Sequence, residues 1–297
     1  MMKKLFVVIA ALLLGLNIPA QDIRISEYIS AYGSKVLNQV ADLDEAGRNY
    51  QKFILFPEKT LIIDYTYKPE IGIAGEQYYT EYADSVVQGG FGVFHFQEDQ
   101  ITQKSYFDEL GEKTKEMIYT IDGPSQTTIE LWQKQEDRED TTSLVKFLVF
   151  DENTIIKKES IWLDSQLINT INYQHLSDKT IIASAPSHPE ITYFQEVYHF
   201  EDNHLKAFER LWGKFDMKKL IVEARTQKTF QYNKKGLLRK MKMESYTSTE
   251  PKPFLTSFFE YEVKKPKNLD LALLEKINTA ILKMALPEAW NYKEYGW

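Results

Sequence analysis

The sequence predicts an α+β protein that is mainly β: a large, curved antiparallel meander, half-barrel-like, with an N-terminal and a C-terminal helix. Three observations carry this expectation. From about Phe91 to Val263, Val, Ile, Thr, Phe, Tyr and Trp recur in short alternating runs, and these residue types suit a pleated, half-buried surface. Turn formers separate the runs, and no long helical periodicity interrupts them. None of the 297 residues is cysteine, so packing rather than disulfides has to hold the sheet together.

At the start, Lys3 and Lys4 precede an apolar run from Leu5 to Leu16, followed by Asn17, Ile18, Pro19 and Ala20. This is the pattern of a signal peptide, with cleavage expected between Ala20 and Gln21. The run is too short for a spanning helix, which needs roughly twenty residues. No cysteine follows it to carry a lipid. The expectation is therefore an exported chain, periplasmic or extracellular, with residues 21–297 forming one domain that does not span a membrane.

In that domain, Ile25, Tyr28, Ile29, Tyr32, Val36 and Val40 fall at helical spacing, with Ser26 placed to cap. They predict a helix over about 25–40. A meander over about 50–263 follows, of roughly ten or more strands, a size at which open sheets usually curl or split. Its first strands are Lys52–Phe56 and Thr60–Tyr67, joined by Pro57-Glu58-Lys59. Met117, Tyr119 and Ile121 alternate before the turn Asp122-Gly123-Pro124-Ser125, and Ile129 and Leu131 after it, so one face is buried. Leu274, Ile277, Ile281 and Met284 form a helical stripe over about 269–286, capped by Asn268 or Asp270 and stopped by Pro287. An aromatic tail runs from Trp290 to Trp297.

The most specific internal feature is a repeated short unit. Phe150-Asp151-Glu152-Asn153-Thr154-Ile155, continuing to Trp162, is matched in register by Phe200-Glu201-Asp202-Asn203-His204-Leu205, continuing to Trp212. Weaker copies begin at Phe96 and Tyr232. An aromatic, a polar turn and a branched apolar residue describe a hairpin. The spacing between copies is too irregular for a strict solenoid or propeller. These four segments, most clearly Tyr232 to Leu237, resemble the hairpins of YD or RHS-type repeats. The resemblance covers about fifteen residues per copy, lacks the Tyr-Asp pair, and implies hairpins but no activity. The order of helix then meander is also similar to periplasmic carriers of the LolA type, whose curved sheet shelters acyl chains. That likeness is one of layout alone, and it implies an apolar cavity.

Removing the leader takes the formal net charge from −7 to −9, which argues against a nucleic-acid partner. No Gly-x-Ser-x-Gly, His-Glu-x-x-His, phosphate loop or Gly-x-Gly-x-x-Gly string occurs, so no catalytic residue and no cofactor are singled out. His199, His204 and Asp202 can be written as metal ligands, but a hairpin tip explains them equally, and no metal site is assigned. The acidic run Glu136 to Asp140 reads as a solvated loop.

Two candidate surfaces remain. Trp132, Trp162 and Trp212 each end a β segment; on one exposed face they would bind sugars or apolar ligands, and otherwise they are core aromatics. Lys218, Lys219, Lys234, Lys235, Arg239 and Lys240 lie in a basic stretch suited to an anionic partner, or simply to solvation. The reading is a non-catalytic envelope binding protein whose partner is a protein, glycan or lipid. The alternatives are a carrier of an apolar ligand, discriminated by a continuous cavity, and an enzyme with a dispersed site, discriminated by converging titratable groups.

Overall fold

A computed structural model describes residues 23–286, apart from 32–33, 45, 69–71, 98–99, 122–125, 136–137, 152–154, 188–191, 217–218, 249–250 and 265–269. The expected leader, the Asp122–Ser125 turn and the aromatic tail lie outside the described residues. Eighteen strands run in chain order. The first six are β1 (Ile23–Ala31), β2 (Ser34–Leu43), β3 (Asn49–Leu55), β4 (Thr60–Lys68), β5 (Gly72–Glu81) and β6 (Val86–Gln97). Next come β7 (Gln100–Phe107), β8 (Lys113–Ile121), β9 (Gln126–Gln135), β10 (Arg138–Phe150), β11 (Ile156–Leu163) and β12 (Gln166–His175). The last six are β13 (Lys179–Pro186), β14 (Tyr193–Glu201), β15 (His204–Asp216), β16 (Lys219–Tyr232), β17 (Leu238–Thr247) and β18 (Leu255–Lys264), followed by helix α1 (Leu271–Ala285).

Each strand pairs antiparallel with its neighbours in sequence, and β1 also pairs with β18, from Arg24↔Lys264 to Ser30↔Phe258. The ring is closed, which corrects the half-barrel expectation. A half-barrel would leave two long edges with unpaired backbone groups. Here the first and last strands satisfy each other.

The expected N-terminal helix is also corrected: residues 23–43 form the β1–β2 hairpin. The misreading has a physical cause. Ile25 and Ile29 are four apart, which is one helical turn but also two strand periods. In β2 a bulge at Asn38 throws Val36 and Val40 onto opposite faces, since Ile29↔Val36 and Ser26↔Val40 are paired across it. The C-terminal helix is present, with Asp270 Oδ1 accepting from the Leu273 amide at 2.7 Å.

The repeated hairpin units all turn at the same end of the barrel, after β6, β10, β14 and β16. Asp202 and Asn203 adopt positive φ in the β14–β15 turn, and Gly236 does so (φ 77°) in the β16–β17 turn. Such turns match the twist of the strands they join.

The two faces differ sharply. In β17, Met241 is buried while its neighbours Lys240 and Lys242 flank it on the other face; in β18, Phe259 and Tyr261 are buried between Ser257 and Val263, and Glu260 and Glu262 point the opposite way. The apolar face joins Ile23, Ile25, Leu43, Ile129, Leu148, Ile171, Ile182, Phe208, Phe230 and Leu238 with Ile277, Ile281 and Met284 of α1 into one core. This face is the inner one. Gln39 of β2 and Lys228 of β16 stand four strand spacings apart, roughly 19 Å along the sheet, yet both reach the last turn of α1, at Met284 O (3.3 Å) and Ala285 O (2.8 Å). Only side chains on a concave wall converge in this way. α1 therefore lies inside the barrel, held at its other end by Asn278, which accepts from the Leu238 amide (2.9 Å) and donates to Gly236 O (2.8 Å).

Candidate functional site

The inner wall is apolar around α1 and becomes polar below the helix's last turn. Three pieces of local structure build this layer. The β2 bulge places Asn38 and Gln39 together opposite β1, so both amides reach one atom: Asn38 Nδ2 donates to Glu27 Oε1 at 2.6 Å and Gln39 Nε2 at 2.8 Å. Closure of the ring sets Tyr261 directly across from Glu27. Pairing of Ala41 with Lys52 brings the lysine of β3 onto the same inner wall.

Glu27 and Tyr261 are each 1% exposed. Among the described residues, neither Glu27 Oε2 nor the Tyr261 hydroxyl has a hydrogen-bond partner. Burial, and then the Glu27 charge, hold the Tyr261 phenol well above its ordinary value. Burial pushes the Lys52 ammonium down, and the charge of Glu27 partly offsets this. The C-terminal carbonyls of α1 add the negative end of the helix dipole. Chemically the group offers an acceptor, a phenol and an ammonium around one point.

Other buried charges on this wall are matched within the protein. Lys146 meets Glu159 at 3.0 Å, and Tyr173 donates to the other carboxylate oxygen at 3.3 Å. Glu196 is fully buried, takes a hydrogen bond from Tyr198 at 2.7 Å and faces Arg210 at 3.5 Å. A groove at the opposite end, between Phe56 and Tyr82, has no comparable buried polar group among its described residues.

The structure does not bring the three tryptophans together. Trp132 stands on the outer wall under Lys113 (5.4 Å), and Trp162 is also outside, edge-on to Phe147. Trp212 faces inward, paired with Phe194 and beside Arg210. The basic residues are likewise dispersed. Lys218 lies outside the described residues; Lys219 begins β16 at one end, whereas Lys234 and Lys235 are exposed in the β16–β17 turn at the other. Lys240 is on the outer wall with Glu260 (3.1 Å), and Arg239 is the extra residue at a register shift. His204 stacks edge-on against Tyr232, and no group of three metal-ligating side chains is found among the described residues.

Sequence reading missed Glu27, Lys52 and Tyr261. The signal was present for two of them: Glu27 sits in the alternation Ile23, Ile25, Glu27, Ile29, and Tyr261 in Phe259, Tyr261, Val263. A charge in the buried phase of a strand marks a group that folding alone does not favour.

No family model matches the chain, and no curated protein does. Among solved structures, a porin-like protein from Bacteroides uniformis is 10% identical, with 83% of this chain and 97% of that chain covered and a TM-score of 0.47. The TcdB2–TccC3 structure is 10% identical over 72% of this chain and 17% of that chain, with a TM-score of 0.16.

Proposed function

We propose that the chain is an exported, non-catalytic binding protein of the bacterial envelope, a barrel that lives in water and holds its ligand on the polar layer of its inner wall. The observation that carries this reading is the sidedness of the strands. A barrel that spans lipid shows an apolar band outward and a polar interior. This one is reversed over β16–β18 and β1: Arg225, Lys240, Lys242, Glu244, Glu260 and Glu262 point outward, while Met241, Phe259 and Ile25 point inward. Each outward Lys or Arg would cost about 2–4 kcal/mol at the middle of a bilayer. An apolar carrier is less well supported, because α1 fills the apolar part of the interior with the protein's own side chains.

The test has two parts. Lacking residues 1–20, the protein is expected to stay monodisperse without detergent and to give no conductance in planar bilayers; conductance would refute the aqueous reading. Glu27→Gln keeps the acceptor for Asn38 and Gln39 and removes a buried charge, so it should raise the unfolding temperature, as happens where a group is retained for binding at the expense of stability. A fall would make Glu27 a structural residue and remove the inner-wall site.

A further inference from the structure

Resting on that inner-wall reading, we infer that Glu27, Tyr261 and Lys52 form a subsite for a small zwitterion of the amino-carboxylate class, with its ammonium on Glu27 Oε2 and the Tyr261 hydroxyl and its carboxylate toward Lys52. The choice follows from which groups are unsatisfied. Glu27 Oε1 is occupied by two amides, so Oε2 alone remains to accept, 1% exposed with the rest of its residue. The Tyr261 hydroxyl lies across the β1–β18 pairing from it and is also unbonded. The last turn of α1 lies against Gln39, a direct partner of Glu27, so the negative end of the helix reinforces the preference for a cation here.

Lys52 decides what else the ligand carries. It is only partly exposed, faces the same interior, senses the Glu27 charge and forms no hydrogen bond or ion pair with a described residue. A simple amine would gain from Glu27 and be repelled by Lys52; a simple carboxylate would meet the reverse. A neutral ligand would leave both charges desolvated without a partner. A molecule bearing both charges satisfies both ends. The other charged pairs of the wall, Lys146 with Glu159 and Glu196 with Arg210, offer no such opening because each is already matched.

The probes are glycine, β-alanine, γ-aminobutyrate and ε-aminocaproate, which place the two charges progressively farther apart, with butylamine and butyrate as single-charge controls. Isothermal titration of the protein lacking residues 1–20 is expected to show millimolar or tighter binding of at least one zwitterion and about tenfold weaker binding of both controls. Glu27→Gln and Lys52→Met should each weaken the zwitterion about tenfold or more, as loss of one charged partner does. Circular dichroism checks that both variants keep the β-sheet. If no zwitterion binds, or if either variant binds as wild type does, the assignment is wrong. The melting behaviour of Glu27→Gln separates the two claims: a raised unfolding temperature without zwitterion binding removes this ligand class and leaves the inner-wall site standing, whereas a lowered temperature removes the site itself.

Discussion

Lys228 of β16 donates to the carbonyl of Ala285, 2.8 Å away at the end of α1, and thereby fastens the internal helix to the wall by its last turn. A cation at a helix C-terminus meets both an orphan carbonyl and the dipole. The same lysine lies 5.8 Å from the Phe208 ring centroid, so its stem is held in the core.

Lys228→Met keeps the stem and removes the donor. A hydrogen bond from a charged group is worth about 1.5–3 kcal/mol, and the unfolding temperature should fall by several degrees. Amide exchange would localise the change: Leu282 to Leu286 should exchange faster, while β17 and β18 stay protected. Uniform loss of protection would mean that Lys228 holds the wall rather than the helix.

Arg24 and Asp42 form a two-pronged ion pair on the face opposite Ile23 and Ile25, at 2.7 Å and 2.6 Å, both nearly inaccessible. Removing one partner strands a buried charge, so Asp42→Leu should destabilise by about 3–5 kcal/mol. Replacing both, Arg24→Met with Asp42→Leu, should recover most of that loss, since burying an ion pair costs desolvation that apolar side chains avoid. Urea unfolding of the single and double variants measures the coupling. A double variant as unstable as the single one would show that the pair has a role apolar packing cannot replace.

Glu260 lies between Lys35 and Lys240 on the outer wall, 3.1 Å from each. Hydrogen bonds from Lys35 and then Lys240 hold its carboxyl below the ordinary value, and Glu262 and then Glu260 raise Lys35. A depressed carboxyl stabilises above its unfolded pKa and loses this as pH falls through the folded one. A raised lysine stabilises below its unfolded pKa and loses this as pH climbs through the folded one. The network therefore acts from above the carboxylate range, near pH 4, to below the lysine range, near pH 10. These groups are well exposed, so Glu260→Gln should cost at most about 1 kcal/mol at neutral pH. The difference from wild type should vanish at pH 3 and shrink in molar salt; a difference that persists at pH 3 would mean that Glu260 acts by packing.

Strand positions were legible wherever the controlling signal is local. The alternation of Met241 and Met243 against Lys240 and Lys242, the hairpin at Phe200 to Leu205, and the stripe Ile277, Ile281, Met284 each need only a few residues. The first helix failed because a spacing of four residues suits a helix and a strand alike, and because the bulge at Asn38 breaks the alternation that would have told them apart. The tryptophans and lysines offered as surfaces are scattered because position near a strand end says nothing about which face, or which end of a closed ring, a side chain occupies.

Local chemistry in the chain thus determined the antiparallel β character, the hairpin units and the amphipathic C-terminal helix, because each rests on contacts between residues near in sequence. Closure, the inward placement of α1 and the meeting of Glu27 with Tyr261 were decided by the tertiary structure alone. All three depend on β1 finding β18, and that pairing joins opposite ends of the chain, where no periodicity within either segment records the partner.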